Sequence, residues 1–330
     1  LLKDNPSLHA DMVVLAIGVT PDTTLAKEAG LELGIKESIV VNDRMETSVP
    51  DIYAAGDAVQ VKHYVTGNDA LISLAGPANK QGRIIADNIC GGDSHYLGSQ
   101  GSSVIKVFDM TAATTGINET NAKKSGLEVD TVILSPMSHA GYYPGGKVMT
   151  MKVVFEKETY RLLGAQIIGY EGVDKRIDVL ATAIHAELKA TQLKDLDLAY
   201  APPYSSAKDP VNMAGFMIDN IAKGTLKQWH LEDMDKISKD KNAVLLDVRT
   251  VGEFSRGHIN GFKNIPVDEL RERINEIEKG KPVYLICQSG LRSYIASRIL
   301  EGNGYETYNF SGGFRFYDAV VNDRALIERA

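Results

Sequence analysis

The sequence has very little cysteine, no excess of positive charge and no long apolar run. Only two cysteines, Cys90 and Cys287, occur in 330 residues. This usage argues against a disulfide framework and for a reducing, cytoplasmic compartment. A formal net charge of −7 argues against nucleic acid as a partner. The apolar runs are too short to cross a membrane, and residues 1–6 lack the pattern of a secretory signal peptide.

A glycine-rich dinucleotide motif is missing as well. No G-x-G-x-x-G follows a strand-like segment, and the chain does not begin with Met. We therefore expect the amino-terminal part of a longer polypeptide to be missing from this sequence. The content of 44% hydrophobic and 24% charged residues is ordinary for a globular protein. A chain of 330 residues predicts about two or three domains.

The stretch Cys287–Ser293 carries the clearest chemistry. It follows an apolar run, Pro282–Cys287, that predicts a buried strand, and it precedes Tyr294–Leu300, whose apolar residues recur at helical spacing. The N–H groups of such a loop and the helix dipole favour negative charge, so they should stabilise the nucleophilic thiolate. Arg292 adds a fixed positive charge or an anion clamp. The alternative is a buried structural cysteine.

Strands and helices alternate around this loop. Ala243–Arg249 and Tyr305–Phe310 are predicted strands, and Val267–Glu278 is a predicted helix. The order implies a small parallel sheet wrapped by helices, with Cys287 at the carboxyl end of a strand, where such folds bind ligands. Four nearby polar residues are interpreted as scaffold rather than as direct catalysts: Asp247, Arg249, Glu253 and His258.

The motifs L-L-D-V-R, E-F-x-x-G-H-I-x-G-F-x-N-I-P, C-Q-S-G-L-R-S and G-G-F make this module resemble rhodanese domains. The resemblance covers nearly all of Trp229–Val320. It implies that Cys287 accepts a sulfane sulfur and becomes a persulfide. It also implies that backbone N–H groups of the loop cradle that sulfur, with Arg292 at the loop's end. The loop is one residue shorter than phosphatase loops, which disfavours phosphatase activity. The cradling residues are Gln288, Ser289, Gly290 and Leu291.

Two motifs near the start of the chain predict strands. Asp11–Gly18 opens the pattern D-x-V-V-x-A-I-G-x-x-P-D, and Ile52–Ala55 lies within T-x-x-P-D-I-Y-A-A-G-D-A, closed by Gly56 and Asp57. A glycine there allows a close backbone approach to a ligand, and the Asp57 carboxylate can accept hydrogen bonds from a sugar-like hydroxyl. By itself, Gly-Asp is also a common turn.

In this order the two motifs resemble the flavin disulfide reductase superfamily. The resemblance makes Asp11–Gly18 the last strand of the NAD(P)H domain and Asp57 the residue that binds the ribityl chain of FAD, with Gly56 for close approach. Leu74–Ile89 matches the helix whose N-terminus points at the flavin, which brings in Ala75 and Pro77. The alternative is a plain packing helix. Cys90 follows this helix and is interpreted as a C-cap neighbour, because a helix C-terminus disfavours a thiolate.

Residues 102–217 have an α+β pattern that resembles the superfamily's dimerisation domain, so we expect a homodimer. Val104–Met110 is predicted as its first strand. The segments around Tyr142 and Tyr200 resemble coenzyme A-disulfide reductases, persulfide reductases and NADH oxidases, in which two tyrosines from the partner subunit reach the active-site cysteine. A neutral phenol can donate a hydrogen bond to a thiolate. The alternative is interface packing, and Tyr143 is the neighbour that Tyr142 could be confused with.

The predicted fold class is α/β. Residues 1–101 form a partial FAD/NAD(P)-binding Rossmann-like region, 102–217 the dimerisation domain, 218–228 a linker and 229–330 a rhodanese domain with a central parallel sheet. The combination resembles enzymes that reduce coenzyme A persulfide, polysulfide or coenzyme A disulfide with FAD and NAD(P)H. Two alternatives remain: a thiosulfate-type sulfurtransferase, and a sulfur-carrying or sensing module acting through Cys287 alone. No metal site is predicted. The first FAD motif and the redox cysteine are absent, so this chain should not reduce a substrate by itself.

Overall fold

The computed structural model describes residues 9–329, with side chains up to residue 321. These residues form two compact units. The first contains the chain up to residue 63 together with residues 67–99, and the second contains residues 64–66 and the chain from residue 100 onward. Among the described residues, no helix is both long and apolar enough to span a membrane.

The first unit is small and is built around a three-stranded sheet. Strand β1 pairs in parallel with β2, and β2 pairs in antiparallel orientation with β3. Met45, Val59 and Val61 are buried between this sheet and the apolar face of α2, which contributes Ile84 and Ile85. The elements are α1 (Thr24–Glu28), β1 (Ile39–Val40), β2 (Val59–Lys62), β3 (Asp69–Ala70) and α2 (Ala75–Ile89).

Two strands predicted in this unit are wrong. Asp11–Gly18 forms no strand, and its apolar side chains are exposed, Ile17 by 89%. An apolar run becomes a buried strand only when neighbouring strands pair with it, and no described strand does so here. Ile52–Ala55 is also not a strand, since only Tyr53 makes a single bridge, to Glu46.

The second unit begins with an antiparallel sheet of five strands in the order β4-β5-β8-β7-β6. Helix α4 packs on β5 and β8, and α5 contacts β6. The inward residues of β7, Met149, Met151 and Val153, are almost completely buried. The elements are β4 (Ser103–Val107), β5 (Met110–Gly116), α3 (Glu119–Lys124), β6 (Val129–Leu134), β7 (Met149–Glu156), β8 (Leu162–Gly169), α4 (Val173–His185) and α5 (Pro210–Ala222).

The single predicted strand Val104–Met110 is wrong, because the chain reverses within it. Phe108 adopts a left-handed φ of 51°, and Val107 pairs with Met110 across a tight turn. A continuous apolar pattern does not reveal a hairpin whose turn contains Phe-Asp instead of the usual Asn-Gly or Asp-Gly.

The second unit continues with a parallel sheet of five strands in the order β11-β10-β12-β13-β9. This confirms the predicted small parallel sheet. Strand β12 is central, so the loop that follows it leaves from the middle of the sheet. The elements are β9 (Gln228–Trp229), α6 (Met234–Ile237), β10 (Val244–Asp247), α7 (Val251–Arg256), β11 (Lys263–Asn264), β12 (Val283–Ile286), α8 (Leu291–Glu301), β13 (Thr307–Phe310) and α9 (Gly313–Arg329).

The predicted helix Val267–Glu278 is wrong. The segment consists of turns and one short 3-10 stretch, Ile274–Glu276. Leu270 and Ile277 are still buried, because successive turns can present apolar residues at helix-like spacing. The hydroxyl of Tyr305 lies 3.2 and 3.1 Å from the carbonyl oxygens of Ile274 and Ile277. The Ile274 carbonyl already accepts the Ile277 N–H, so the Tyr305 proton can satisfy the Ile277 carbonyl, which a helix would have paired internally.

The two sheets of the second unit meet through hydrogen bonds at the edge strand β6. The Ile133 N–H donates to the Ser311 hydroxyl at 3.0 Å, and the Gln228 side chain donates to the Thr131 carbonyl at 2.8 Å. His230 Nε2 lies 3.1 Å from the Asp130 carboxylate. These contacts satisfy polar groups of an edge strand. The predicted linker 218–228 contains the end of α5 and the first residue of β9.

Candidate functional site

Cys287 lies at the carboxyl end of β12, where the loop to α8 begins. Cys287 is only 1% exposed to solvent. The Gly290 N–H donates to Cys287 Sγ at 3.1 Å, and the Ser293 hydroxyl lies 3.2 Å from the same sulfur. Gly290 has a left-handed φ of 98° at the N-cap of α8, a conformation that favours glycine and turns its N–H towards the sulfur. The loop therefore directs polar hydrogens at Sγ, as a thiolate requires.

The segment after β13 supports this loop from below. The Phe314 N–H donates to the Cys287 carbonyl at 2.8 Å, and the Arg315 N–H to the Gln288 carbonyl at 3.2 Å. A Cβ at Gly313 would lie 2.7 Å from the Gln288 carbonyl oxygen, so only glycine permits the approach. This gives the G-G-F motif a physical reason. The predicted cradle residues Gln288 and Ser289 lie on the supported part of the loop.

Arg292 is held by Glu253. Its two terminal nitrogens donate to the two carboxylate oxygens, both at 2.7 Å. The Arg292 hydrogen bonds lower the pKa of Glu253 to about 2, against the opposing effect of burial. Glu253 also accepts the Thr250 N–H and so caps α7. The pair carries no net charge, so Arg292 contributes less to a thiolate than a free cation would.

A buried ion pair lies beneath the loop. Arg249 donates to both oxygens of Asp247, the shortest distance being 2.7 Å, and both side chains are at most 2% exposed. Its guanidinium also donates to the Gly257 carbonyl and stacks 3.8 Å from the Phe314 ring centre. Charges this deeply buried need such partners. The geometry supports a scaffold role for Asp247 and Arg249.

The outer surface of the loop is partly apolar. Leu291 is 60% exposed at the first position of α8, and Ile295 on the next turn is 44% exposed. His258 is exposed and stacks on Phe254, to whose carbonyl it is hydrogen-bonded at 3.1 Å. It makes no contact with the sulfur in this arrangement, which agrees with its interpretation as scaffold.

Tyr142 and Tyr200 are brought together although they are far apart in sequence. Their hydroxyl oxygens lie 2.8 Å apart. Tyr143 instead packs edge-on against His139, so the geometry favours Tyr142 over its neighbour as the partner of Tyr200. The hydrogen bond with Tyr142 raises the pKa of Tyr200, so the phenol is neutral at pH 7. Both tyrosines are strongly exposed, at 77% and 46%.

A cavity of about 520 Å³ lies beside the pair and is lined by Tyr200, Lys175 and Arg176 among others. Its floor is built on the buried ion pair between Arg176 and Asp209, with a closest distance of 2.9 Å. Asp209 also accepts the Val211 N–H and caps α5. Asp209 therefore connects the tyrosine segment to α4 and α5. Lys208 is exposed.

The predicted flavin residues converge in the first unit. Gly56 has a φ of 85°, and its N–H donates to Gln81 Oε1 of α2 at 2.7 Å. Asp57 is exposed. Helix α2 starts at the exposed Ala75, with Pro77 in its first turn, and no side chain caps its N-terminus. A carboxylate acceptor and uncapped N–H donors together fit a cofactor that carries both hydroxyl and electron-rich groups.

Sequence reasoning missed three supporting residues. Gln81 anchors Gly56, Ser293 contacts the sulfur, and Asn309 donates to the Gly290 carbonyl at 3.1 Å. Ser293 could have been found, because it follows Gly290 by three positions and so lies over the same turn of α8. The contact of Asn309 spans 19 residues and has no local signal. The structure thus forms two separate groups in the second unit, the Cys287 loop and the tyrosine pair.

Three family models match successive parts of the chain. Residues 1–82 match the pyridine nucleotide-disulphide oxidoreductase family, residues 102–210 its dimerisation domain and residues 230–319 the rhodanese-like domain. The chain therefore combines two segments that match the pyridine nucleotide-disulphide oxidoreductases with a rhodanese-like domain.

Curated relatives match about two thirds of the chain. A CoA-dependent NAD(P)H sulfur oxidoreductase of Pyrococcus abyssi is 38% identical over 211 residues, which are 64% of this chain and 47% of that protein. A coenzyme A disulfide reductase of Staphylococcus aureus is 35% identical over 209 residues, 63% of this chain and 47% of that protein. The chain thus spans about half the length of the curated relatives it matches.

Two solved structures are similar over most of the chain. Reduced CoADR-RHD of Bacillus anthracis superposes with a TM-score of 0.94 at 47% identity, covering 98% of this chain and 58% of that one. An NAD-dependent persulfide reductase from A. fulgidus gives a TM-score of 0.86 at 42% identity, covering 93% and 56%. The α/β architecture with a rhodanese-like parallel sheet is therefore established.

Proposed function

We propose that this chain functions within an FAD-dependent NAD(P)H oxidoreductase that reduces coenzyme A persulfide, polysulfide or coenzyme A disulfide. In this proposal, the rhodanese-like part handles sulfane sulfur at Cys287. The observation that carries it is the position of Cys287 Sγ, which receives the Gly290 N–H at 3.1 Å and lies 3.2 Å from the Ser293 hydroxyl. The reductases named among the relatives support the remainder.

The sulfur step at Cys287 is an exchange between two S–S bonds. The thiolate attacks the outer sulfur of a persulfide, the donor's S–S bond breaks, and the donor leaves as a thiolate. The new bond joins Cys287 Sγ to the transferred sulfur, which carries the negative charge. No electrons are gained or lost overall. The Gly290 N–H and the uncapped end of α8 favour negative charge on this side of the loop.

The tyrosine pair is assigned to the reductive half of the reaction. Tyr142 and Tyr200 share a hydrogen bond of 2.8 Å and are exposed, so they are available to a group outside their own module. Each phenol is a donor to a thiolate or a proton source for a leaving thiolate. In the proposed homodimer, formed through residues 102–217, they serve the redox cysteine of the partner subunit. The match of residues 102–210 to a dimerisation domain supports this arrangement.

The residues of the first unit fit FAD. Gly56 would allow close approach, Asp57 would accept a ribityl hydroxyl, and the start of α2 at Ala75 and Pro77 would face the flavin. Bound FAD would supply hydride acceptance from NAD(P)H and electron transfer to a disulfide. The dipole of α2, 15 residues long, favours the anionic reduced form. The reducing, cytoplasmic setting of the proposal is supported by two free cysteines.

The deciding experiment uses the full-length protein with NADH and coenzyme A persulfide. Without oxygen, NADH should bleach the flavin by itself, whereas sulfide release and the return of the flavin absorbance should depend on the persulfide. Flavin that stays oxidised, or NADH that is not consumed, would eliminate the reductase.

A sulfurtransferase acting through Cys287 alone is a second candidate. Both hydrogen-bond donors to the sulfur, the Gly290 N–H and the Ser293 hydroxyl, come from the loop itself, and neither depends on a flavin. This candidate predicts transfer of sulfur from thiosulfate to cyanide by this chain without NADH. A purely sensing module predicts instead that Cys287→Ser leaves every activity of the full-length protein intact.

A further inference from the structure

Ser293 has two acceptors for a single proton. Its side chain is completely buried on the first turn of α8. Its Oγ lies 3.2 Å from Cys287 Sγ and 3.1 Å from the Gly290 carbonyl oxygen. A hydroxyl has one hydrogen to donate, so it can serve only one of the two acceptors at a time.

The Gly290 carbonyl does not depend on Ser293. The side-chain amide of Asn309, itself 4% exposed, donates to the same oxygen at 3.1 Å. When the Ser293 proton turns towards the sulfur, this carbonyl keeps a donor, so no buried acceptor is left unsatisfied. Rotation of the Ser293 hydroxyl therefore costs little free energy. The charge on the sulfur determines which of the two acceptors receives the proton.

We propose that the Ser293 hydroxyl donates to the Cys287 thiolate and turns back to the Gly290 carbonyl when Cys287 carries a sulfane sulfur. This inference rests on the proposed role of Cys287. A hydrogen bond to a charged acceptor is stronger than one to a neutral acceptor. In the persulfide, Sγ is bonded to two atoms and the charge lies on the outer sulfur, so Sγ no longer competes with the carbonyl. Ser293 thereby stabilises the sulfur-free, nucleophilic state of the loop.

The test is a titration of this chain followed by the ultraviolet absorbance of the thiolate. The absorbance of the Cys287→Ser chain is subtracted, which removes the contributions of Cys90 and the tyrosines. Ser293→Ala should move the midpoint of the Cys287 thiolate signal to higher pH by about one to two units, the size expected for one hydrogen bond to a charged group. Ser293→Thr, which keeps the hydroxyl, should move the midpoint back towards that of the unmodified chain.

Ser297 is the matched control. It lies one turn further along α8, is 2% exposed, and donates to the Tyr294 carbonyl at 2.7 Å without contacting the sulfur. Ser297→Ala removes the same atom from the same helix and should leave the midpoint unchanged. An unchanged midpoint in Ser293→Ala overturns the proposal. So does an equal shift in Ser297→Ala, or a Ser293→Thr chain that titrates like Ser293→Ala.

The proposed sulfur-transfer role of Cys287 would be overturned by a different result from the one that overturns the inference on Ser293. The titration reports ionisation alone and needs no sulfur donor. If Cys287 never accepts sulfane sulfur but the Ser293→Ala midpoint still shifts, the proposed function fails while the thiolate contact stands. If sulfur transfer occurs and the midpoint does not move, only the inference on Ser293 fails.

Discussion

The Cys287 loop and the Tyr142–Tyr200 pair show two ways of building a reactive group. Cys287 is 1% exposed, and its sulfur is contacted by residues within six positions of it. The tyrosines come from segments 58 residues apart, and Tyr142 is 77% exposed. The loop is complete within one module, whereas the pair presents its hydroxyls outward. This difference fits the proposal that the loop reacts by itself and that the pair serves a site on another subunit.

The largest expected effect comes from removing the loop's sulfur. Cys287→Ser should abolish sulfur transfer from persulfide or thiosulfate, because a serine hydroxyl is not ionised near neutral pH and does not form a persulfide. The measurement is sulfur transfer by this chain. Cys90→Ser is the control, since Cys90 is exposed at the end of α2, and it should retain full activity. Residual transfer in Cys287→Ser would contradict the assignment.

The second prediction tests the hydrogen bond between Tyr142 and Tyr200 by removing one hydroxyl. Tyr200→Phe in the full-length protein should lower NADH-dependent sulfide release by about a hundredfold, the lower end of the range for loss of a positioned proton donor. Sulfur transfer at Cys287 should not change. Tyr143→Phe is the control, because Tyr143 packs on His139 instead of joining the pair. A Tyr200→Phe protein that loses both activities equally would mean that the two sites are not independent.

The support beneath the loop is tested at Gly313. Gly313→Ala should lower the free energy of unfolding by about 1–3 kcal/mol, because its Cβ would lie 2.7 Å from the Gln288 carbonyl oxygen. Gly304→Ala separates the cost of the close contact from the cost of placing a side chain at a positive φ. Gly304 also has a positive φ, of 82°, but no atom lies within 4 Å of its added Cβ. Denaturant unfolding should show the larger loss at Gly313, and equal losses would argue against the close approach.

The smallest expected effect is the pH dependence contributed by Glu253. Its folded pKa of about 2 lies below the ordinary value of 4.5, so its stabilising contribution is present above about pH 4.5 and is lost as the pH falls towards 2. In Glu253→Gln the free energy of unfolding should change less between pH 4.5 and pH 2 than in the unmodified chain. The expected difference is less than about 1 kcal/mol. Glu272→Gln, at an exposed site, is the control. A profile unchanged by Glu253→Gln would show that the pair with Arg292 does not stabilise the fold.

Sequence reasoning succeeded where neighbours along the chain also interact in space. The strand–loop–helix around Cys287 and the small parallel sheet were predicted, and the structure confirms both. It failed where the outcome depends on distant partners. Val267–Glu278 has helical spacing, but its backbone pairs in separate short turns, and the distant Tyr305 hydroxyl contacts two of its carbonyls. Asp11–Gly18 has a strand pattern without a described strand to pair with. Periodicity reports which residues prefer burial but does not report which backbone groups are already satisfied.

The order of residues by itself determined the Cys287 loop, because Gly290 and Ser293 reach the sulfur through the local turn that opens α8. It also determined the likeness of the three segments to known families. Only the tertiary structure decided which distant groups support that loop. Glu253 neutralises Arg292, and Gly313 allows the segment after β13 to approach the Cys287 loop. Such hydrogen bonds and close contacts depend on atoms that folding brings within a few ångströms of each other. The pairing of Tyr142 with Tyr200, and not Tyr143, was decided in the same way.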